Sequence, residues 1–491
     1  MRTEQAVNQE TWIGALVAFP CSRPGERVIP LAGFYIPGSG FPPPMEAVEA
    51  RVLKRILPRQ DEEARLHTII HELTAKLSER IAARGLDAKP LLVGSVAKGV
   101  HLHETEVDLF VAFPPDTPRE KLESEGLALG DLLERPVRMY AEHPYTRGWY
   151  GGFEVEIVPC YRITDASQRM SAVDRTPLHV DYVLGHLSDE QTTEVRLLKA
   201  WAEGIGVYGA EAKVRGFSGY LCELLVIHYG TFHGVLDAAR SWKPPIVIEL
   251  GTPAARQFSE PLVVVDPVDG NRNVASAVSA EQLATFVYAA RSYRKRPSPR
   301  FFFPRRSKSR TAAQLRATLK RRATSFLAVG IQAPKITDDV LYPQVRKAHK
   351  TVLDLFKRHG FQVLNDSSGV EGEDVLLLFE FEVFRLPRVE IHAGPPVWVK
   401  DAENFLRKWA RSPRRVAGPY LRGDRWFVDV TREATDAATL LRDAHRSLSL
   451  GRDLDRAART RFAIHVDARA VQKKYLQSLT DFFDKRFPWD R

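Results

Sequence analysis

Two pairs of acidic residues carry the most specific chemical signal in this sequence. Glu106 and Asp108 sit one residue apart in Glu106-Val-Asp-Leu-Phe-Val-Ala-Phe113, and Glu154 and Glu156 repeat that spacing in Phe153-Glu-Val-Glu-Ile-Val158. On a strand, residues i and i+2 project from one face, so each pair converges on a point. Carboxylates held side by side repel unless a cation lies between them, and hard oxygen ligands of this kind suit Mg²⁺. Upstream, Gly94-Ser95-Val-Ala-Lys98-Gly99 follows the apolar run Leu91–Val93. A Gly-Ser turn at a strand end offers backbone N–H groups and a hydroxyl to phosphate oxygens. An acidic pair alone is most often a solvated face, and a Gly-Ser turn alone is common. The combination is more specific, with 11 residues from Ser95 to Glu106 and a second acidic strand. One of Glu154 and Glu156 would complete a three-carboxylate, two-metal cluster.

The elements that must position these groups follow from periodicity. Val48, Val52 and Ile56 recur every fourth residue after Met45, with charges between them, which predicts a helix, and residues 60 to 86 continue helical. Strands are predicted at Leu91–Val93, Glu106–Phe113 and Phe153–Val158, the last closed by Pro159. Helices dominate 187 to 233, where Phe217, Tyr220, Leu221, Leu224, Leu225 and His228 share a face. Farther on, Phe379–Phe384 alternates as a strand, Gly394-Pro-Pro396 reads as a turn and Asn404–Trp409 as a short basic helix. Strands, then helices, then a mixed half imply an α+β multidomain chain.

Length and composition bound the rest. The 491 residues suggest about three domains at roughly 150 residues each. Apolar residues at 44% and charged residues at 27% exclude disordered and fibrous classes. No apolar run is long enough to span a bilayer, so no membrane partner is expected. Three cysteines (Cys21, Cys160 and Cys222) without a CxxC motif argue against a disulfide framework and for a cytoplasmic location. The apolar stretch Trp12–Phe19 lacks the flanking charge and cleavage pattern of a secretion signal. From Pro20 to Pro44, 11 of 25 residues are Pro or Gly, so residues 1–44 read as a disordered extension or a mis-assigned start.

The net charge of +10 points to an anionic partner, and its distribution is uneven. Between Arg291 and Arg322 there are 13 Lys or Arg residues and no acid, with aromatics at Phe301-Phe-Phe303, and the remainder of the chain is slightly acidic. A charge run is often only a solvated face. One sign held over this length, beside aromatic rings, is the pattern of phosphate-backbone binding. The candidates are Arg294, Lys295, Arg296, Arg300, Arg305 and Arg306.

From Met45 onward the sequence resembles the nucleotidyltransferase superfamily, and within it the archaeal-type (class I) CCA-adding tRNA nucleotidyltransferases. The resemblance rests on Gly94-Ser95, Glu106-Val-Asp108, Val155–Tyr161, Ser171–His179, Tyr208–Glu223, Asp266–Val274 and Pro299–Pro304, in that order. It implies a catalytic head with a mixed sheet at 45–186 and a helical neck at 187–300. An α/β RNA-binding body at 301–365 and 431–491 and a tail at 366–430 would follow. It implies template-independent addition of CMP, CMP and AMP from CTP and ATP to the acceptor end of tRNA, with pyrophosphate released and two Mg²⁺ ions per site. By position, Glu106, Asp108 and Glu156 correspond to the metal-binding triad. Gly94, Ser95, Lys98, His179, Lys199 and Tyr208 correspond to residues contacting the nucleotide's triphosphate and sugar, and Arg272 to the arginine that helps read C and A.

Taken alone, these residues have plainer readings: His179 as a packed histidine, Lys199 as a solvated helix lysine, Arg272 as half of an ion pair. There are three departures from the family pattern. Glu156 stands where Asp is usual, which lengthens its reach by about 1.5 Å. Lys98 stands where Arg is usual, replacing a planar fork with a point charge. Residues 1–44 have no counterpart. Rival readings are a related poly(A)-type or second-messenger transferase, which would make homopolymer or work without RNA, and a catalytically decayed RNA-binding homologue. The oligomeric state is open, a homodimer included.

Overall fold

The helix predicted after Met45 forms, and it packs away from the acidic strands. The structure is a computed structural model that describes residues 46–103, 105–140 and 144–491. The expectation for residues 1–44 lies outside the described residues. Helix α1 (Glu46–Ile56) buries Val48, Val52 and Ile56 against the helices placed in the neck, although the sequence division assigns it to the head. Helix α2 (Gln60–Ala83) follows and buries Leu66, Leu73, Leu77 and Ile81 along one stripe.

The head continues through β1 (Lys89–Val93), the helical turn α3 (Gly94–Ala97), β2 (Val107–Phe113) and α4 (Arg119–Gly130). It closes with β3 (Glu134–Tyr140), β4 (Pro144–Tyr150) and β5 (Phe153–Tyr161). The strands form one sheet in the order β1-β2-β5-β4-β3, in which β2 and β5 run parallel and the other pairs antiparallel. Val107, Leu109, Val111 and Phe113 face α2 and α4, while Phe110 and Ala112 pack with Val158 and Cys160 on the opposite face. Coverage of both faces explains why β2 reads as an unbroken apolar run. Strand β5 continues through Pro159 to Tyr161, past its expected end. Its pairing with β4 stops at Ile157, so the missing Pro159 N–H faces no ladder on that side.

Helix α5 (Thr176–His186) completes the head, with Val180 packed among Phe110, Val158 and Cys160, and the neck comprises α6 (Asp189–Gly204), α7 (Gly219–Tyr229), α8 (Phe232–Ala239) and α9 (Ala280–Lys295). It is not wholly helical, because β6 (Ile246–Ile248), β7 (Leu262–Asp266) and β8 (Asp269–Asn273) form a small sheet within it. Side chains cap the helices: Ser188 accepts from the Gln191 N–H in a capping box, and Ser218 accepts from Leu221. Phe286 sits at the centre of the neck core, 4.3 Å from Phe217, 5.1 Å from Trp201 and 5.7 Å from Trp242 between ring centroids. The last residues of the chain return to this core, where Trp489 stacks on Phe301 at 5.1 Å.

The body is built from α10 (Ala312–Arg322), β9 (Ser325–Gln332), α11 (Asp338–Arg358), β10 (Gln362–Glu371) and β11 (Asp374–Val383). Between its two halves lies the tail, β12 (Val389–Pro396), α12 (Ala402–Ala410), β13 (Arg415–Arg422) and β14 (Arg425–Thr431). The body resumes with α13 (Ala437–Ala444), α14 (Arg452–Thr460), β15 (Phe462–Val466) and α15 (Leu476–Phe483). Its antiparallel sheet, β10-β11-β9-β15, is covered by α11, α13 and α14 on one face and by α10 and α15 on the other. Gly394-Pro-Pro396 is the end of β12 and not a free turn. β12 is an edge strand with a register shift there, which accommodates proline. Among the described residues, no helix is long and apolar enough to cross a membrane.

The neck core yields a direct test. Phe286 is fully buried among other aromatic rings, so Phe286→Ala is expected to destabilise the chain by about 3–5 kcal/mol. Denaturant unfolding followed by tryptophan fluorescence reads this through Trp201 and Trp242.

Candidate active site

Register places the first part of the site. Asp108 on β2 pairs with Glu156 on β5, and Glu156 pairs in turn with Arg147 on β4, so these residues form a row across three strands. Directly paired residues share a sheet face, so strand pairing settles which member of the second acidic pair joins Asp108: it is Glu156. Glu106 lies one residue before β2, with its carboxylate partly enclosed beside the acidic row. Burial and the charges of Glu156 and Glu106 push the Asp108 carboxyl up to about 7, and burial with the charges of Glu156 and Glu154 raises Glu106. Gly94 closes the other side with φ +72°, and a Cβ there would run into the Asp108 carboxylate. Glycine is thus required twice at this turn, for conformation and for space.

Glu156 is engaged by Arg147, whose Nε donates to Glu156 Oε1 at 2.8 Å and also lies 3.4 Å from Glu154. Among the described residues, no three His, Cys, Asp or Glu side chains already stand together as a metal cage. The donor set nevertheless fits a divalent cation. Glu106 and Asp108 are hard oxygen donors whose crowded negative charge a cation relieves, and the Glu156 carboxylate is adjacent. A cleft of about 430 Å³ opens beside Glu106, walled by Leu66, His101, Trp149 and Phe153.

The second part joins head to neck. Lys98, just after the α3 turn, and Lys199, on α6, are both buried, so Lys199 is not the solvated helix lysine its sequence context suggests. Both point at Glu223 of α7, at 2.6 Å and 2.8 Å respectively. Gly219 opens α7, and a Cβ there would lie 3.1 Å from the Tyr208 hydroxyl and 3.5 Å from Lys199 Nζ, so Tyr208 and Lys199 meet over the helix N-terminus.

The third part centres on Asp266 at the end of β7, which is fully buried. His179 Nε2 lies 2.9 Å and Arg272 Nη1 2.8 Å from Asp266 Oδ2. Burial alone would raise this carboxyl, but His179 and Arg272 outweigh it and hold it down to about 2. Tyr220 connects the second and third parts. Its ring stacks on His179 at 4.2 Å, its hydroxyl lies 3.3 Å from Asp266, and Lys98 Nζ lies 5.7 Å from its centroid.

The structure therefore gathers Gly94, Ser95 and the carboxylates on the head sheet, and Lys98, Lys199, Tyr208, His179 and Arg272 at the head–neck junction. Sequence reasoning assigned no role to Arg147, Tyr220 or Glu223, and read Asp266 only as a possible ion-pair partner of Arg272, a pair the structure contains. A charged residue between Cys222 and Leu224 on an apolar helix was the one available signal, since such a charge must be paired. The basic segment divides. Arg294 pairs with Asp237 at 2.8 Å, and Arg322 donates to the buried Glu380 at 2.9 Å. Lys295, Arg296 and Arg300 instead line a cleft of about 550 Å³ beside Trp489, and Arg305 and Arg306 are exposed.

Comparison with known proteins agrees with this layout. The family described as nucleotidyltransferase domain matches residues 74–179. The second domain of tRNA nucleotidyltransferase matches 193–303, and the C-terminal domain of CCA-adding enzyme matches 322–467. The CCA-adding enzyme of Methanoregula boonei is 39% identical over 421 residues, 84% of this chain and 91% of that protein. That of Methanothermobacter thermautotrophicus is 38% identical, covering 90% of this chain and 98% of its own. That of Haloarcula marismortui is 37% identical, covering 90% and 99%. With identity at this level along nearly the whole length of these relatives, this chain belongs to the archaeal-type CCA-adding tRNA nucleotidyltransferase family.

Proposed function

We propose that this chain adds C, C and A to the 3′ end of tRNA, drawing CMP units from CTP and an AMP unit from ATP. The observation that carries the reading is the likeness to CCA-adding enzymes along nearly their full length, with the carboxylate row and the cationic junction on adjoining modules. In each cycle the terminal 3′-oxygen of the RNA bonds to the α-phosphorus of the incoming nucleotide. The bond from that phosphorus to the β-phosphate oxygen breaks, pyrophosphate leaves, and the hydroxyl proton is lost.

The residues divide this work by chemistry. The N–H groups of the Gly94-Ser95 turn and the Ser95 hydroxyl hold phosphate oxygens. Lys98, Lys199 and Tyr208 supply charge and a hydroxyl to the triphosphate, and His179 approaches it from α5. Arg272, fixed by Asp266, presents donors to the base. Glu106 and Asp108 would hold two Mg²⁺ ions, and Glu156 would join as third ligand by exchanging its bond to Arg147. When bound, such ions supply Lewis acidity to the phosphate and lower the pKa of the attacking hydroxyl. Lys295, Arg296, Arg300, Arg305 and Arg306 bind the acceptor stem through phosphates and shape, which are the features a duplex RNA offers. The reading implies a cytoplasmic enzyme.

Four outcomes are expected. Labelled tRNA lacking its terminal A should be extended with ATP and not with GTP or UTP, and tRNA lacking CCA should take two C residues before A. Equal use of GTP or UTP defeats the assignment. Asp108→Ala should lower incorporation by about 10³-fold, the scale of several kcal/mol of charge stabilisation, with tRNA affinity in a filter-binding assay unchanged. Arg300→Ala should weaken tRNA binding about fivefold and flatten its salt dependence. Arg294→Ala, which breaks the Asp237 pair, should instead lower the melting temperature.

A further inference from the structure

Glu223 is an almost completely enclosed charge at the head–neck junction. Its side chain is 1% exposed, and both carboxylate oxygens are occupied, Oε2 by Lys98 at 2.6 Å and Oε1 by Lys199 at 2.8 Å. The partners come from opposite sides of the junction. Lys98 follows the phosphate turn of the head, while Lys199 and Glu223 lie on neighbouring neck helices. Lys199 Nζ also reaches the Val100 carbonyl at 3.4 Å, a second tie to the segment after that turn.

The charge balance of this group is wrong for a purely structural pair. Glu223 alone cannot balance two ammonium groups in a nearly dry interior, where charge without a partner is costly. The further negative charge near Lys98 is Asp108 of the acidic row, so the surplus positive charge faces the carboxylates of the head. Burial by itself would raise the Glu223 carboxyl, yet Lys199 and Lys98 hold it below the ordinary carboxylate range. It therefore stays ionised and keeps both cations in place. The remaining positive charge lies beside Tyr208 and Tyr220 and above the N-terminus of α7, where a helix end also favours anions.

We propose that Glu223 is a positioning residue for the incoming nucleotide, holding the ammonium groups of Lys98 and Lys199 as one fixed cationic pair for its triphosphate. The inference rests on the reading of these two lysines as triphosphate contacts. Glu223 does not touch the nucleotide. It sets the distance between a head cation and a neck cation, so that the triphosphate meets both without reordering either. Preorganisation of this kind acts on nucleotide binding and leaves the RNA end unaffected.

The test is a double-mutant cycle on the full-length chain, measuring KM for CTP, ATP and tRNA, kcat and melting temperature for wild type, Lys98→Met, Glu223→Gln and the double variant. Glu223→Gln keeps the side-chain shape and removes the charge. It should raise KM for CTP and ATP about tenfold, the scale of one misplaced charge-assisted hydrogen bond, with kcat and the KM for tRNA nearly unchanged. In the Lys98→Met background its effect should shrink, because only Lys199 remains for it to hold and the head–neck pair no longer exists. An unchanged nucleotide KM for Glu223→Gln, or losses that multiply in the double variant, overturns the proposal. So does a loss spread equally over kcat and both KM values, which is the mark of a structural role. If Lys98→Met itself leaves nucleotide KM unchanged, the underlying lysine assignment fails, and that outcome is distinguishable from failure at Glu223 alone. Should Glu223→Gln not fold, Glu223→Asp serves in its place: its shorter reach should raise nucleotide KM, and a wild-type value overturns the proposal.

Discussion

Repulsion between carboxylates is the constraint on which this molecule is organised. The parallel pairing of β2 with β5 sets Asp108 directly opposite Glu156, and Glu106 adds a third acid at the mouth of the same face. Left uncompensated, such a group favours protonation, which is the direction in which Asp108 is driven. Positive charge must come from outside these two strands. The fold supplies part of it through Lys98 after the neighbouring turn and Arg147 on the adjacent strand, and the chemistry of the donors suits divalent cations for the rest. The glycine that opens the neighbouring turn is the steric counterpart of this crowding, since its missing side chain leaves room for the carboxylate.

The same accounting explains the distribution of charge along the chain. Acid is concentrated where metal and triphosphate chemistry is proposed, and base where the RNA backbone is proposed to run. Between them lies a junction in which buried acids, Glu223 and Asp266, each grip two cationic or ionisable partners. These acids convert flexible side chains into fixed ones. The six basic residues the sequence offered for RNA are not equivalent: Arg294 is paired with Asp237, whereas Lys295, Arg296 and Arg300 face a cleft.

Much of the site was legible in the sequence because it is local. The i,i+2 acids, the Gly-Ser turn and the strands that carry them depend on nearest neighbours, and a strand's two-residue period fixes their common face. What was not legible depends on pairing between distant segments. Spacing alone left Glu154 and Glu156 open, and only the family resemblance favoured Glu156, whose pairing with Asp108 rests on register; Arg147 sits on a strand, Pro144–Tyr150, whose mixed aromatic and polar residues show no apolar alternation. Lys98 and Glu223 are 125 residues apart; no local pattern joins them. The first helix was legible as a helix and misassigned to a module, because amphipathicity identifies a buried face without naming its partner.

That misassignment has a mechanical consequence. Since α1 packs with the neck, the chain enters the neck, leaves to build the head, and returns to the neck at α6. The tail interrupts the body in the same way, and Trp489 brings the chain from the body back to the neck. Each module thus hangs from its parent by two covalent connections, like a door on a pair of hinges. A second connection removes conformational freedom that a module on a single tether would keep. The Lys98–Glu223–Lys199 contact ties the head and neck once more, through side chains instead of backbone.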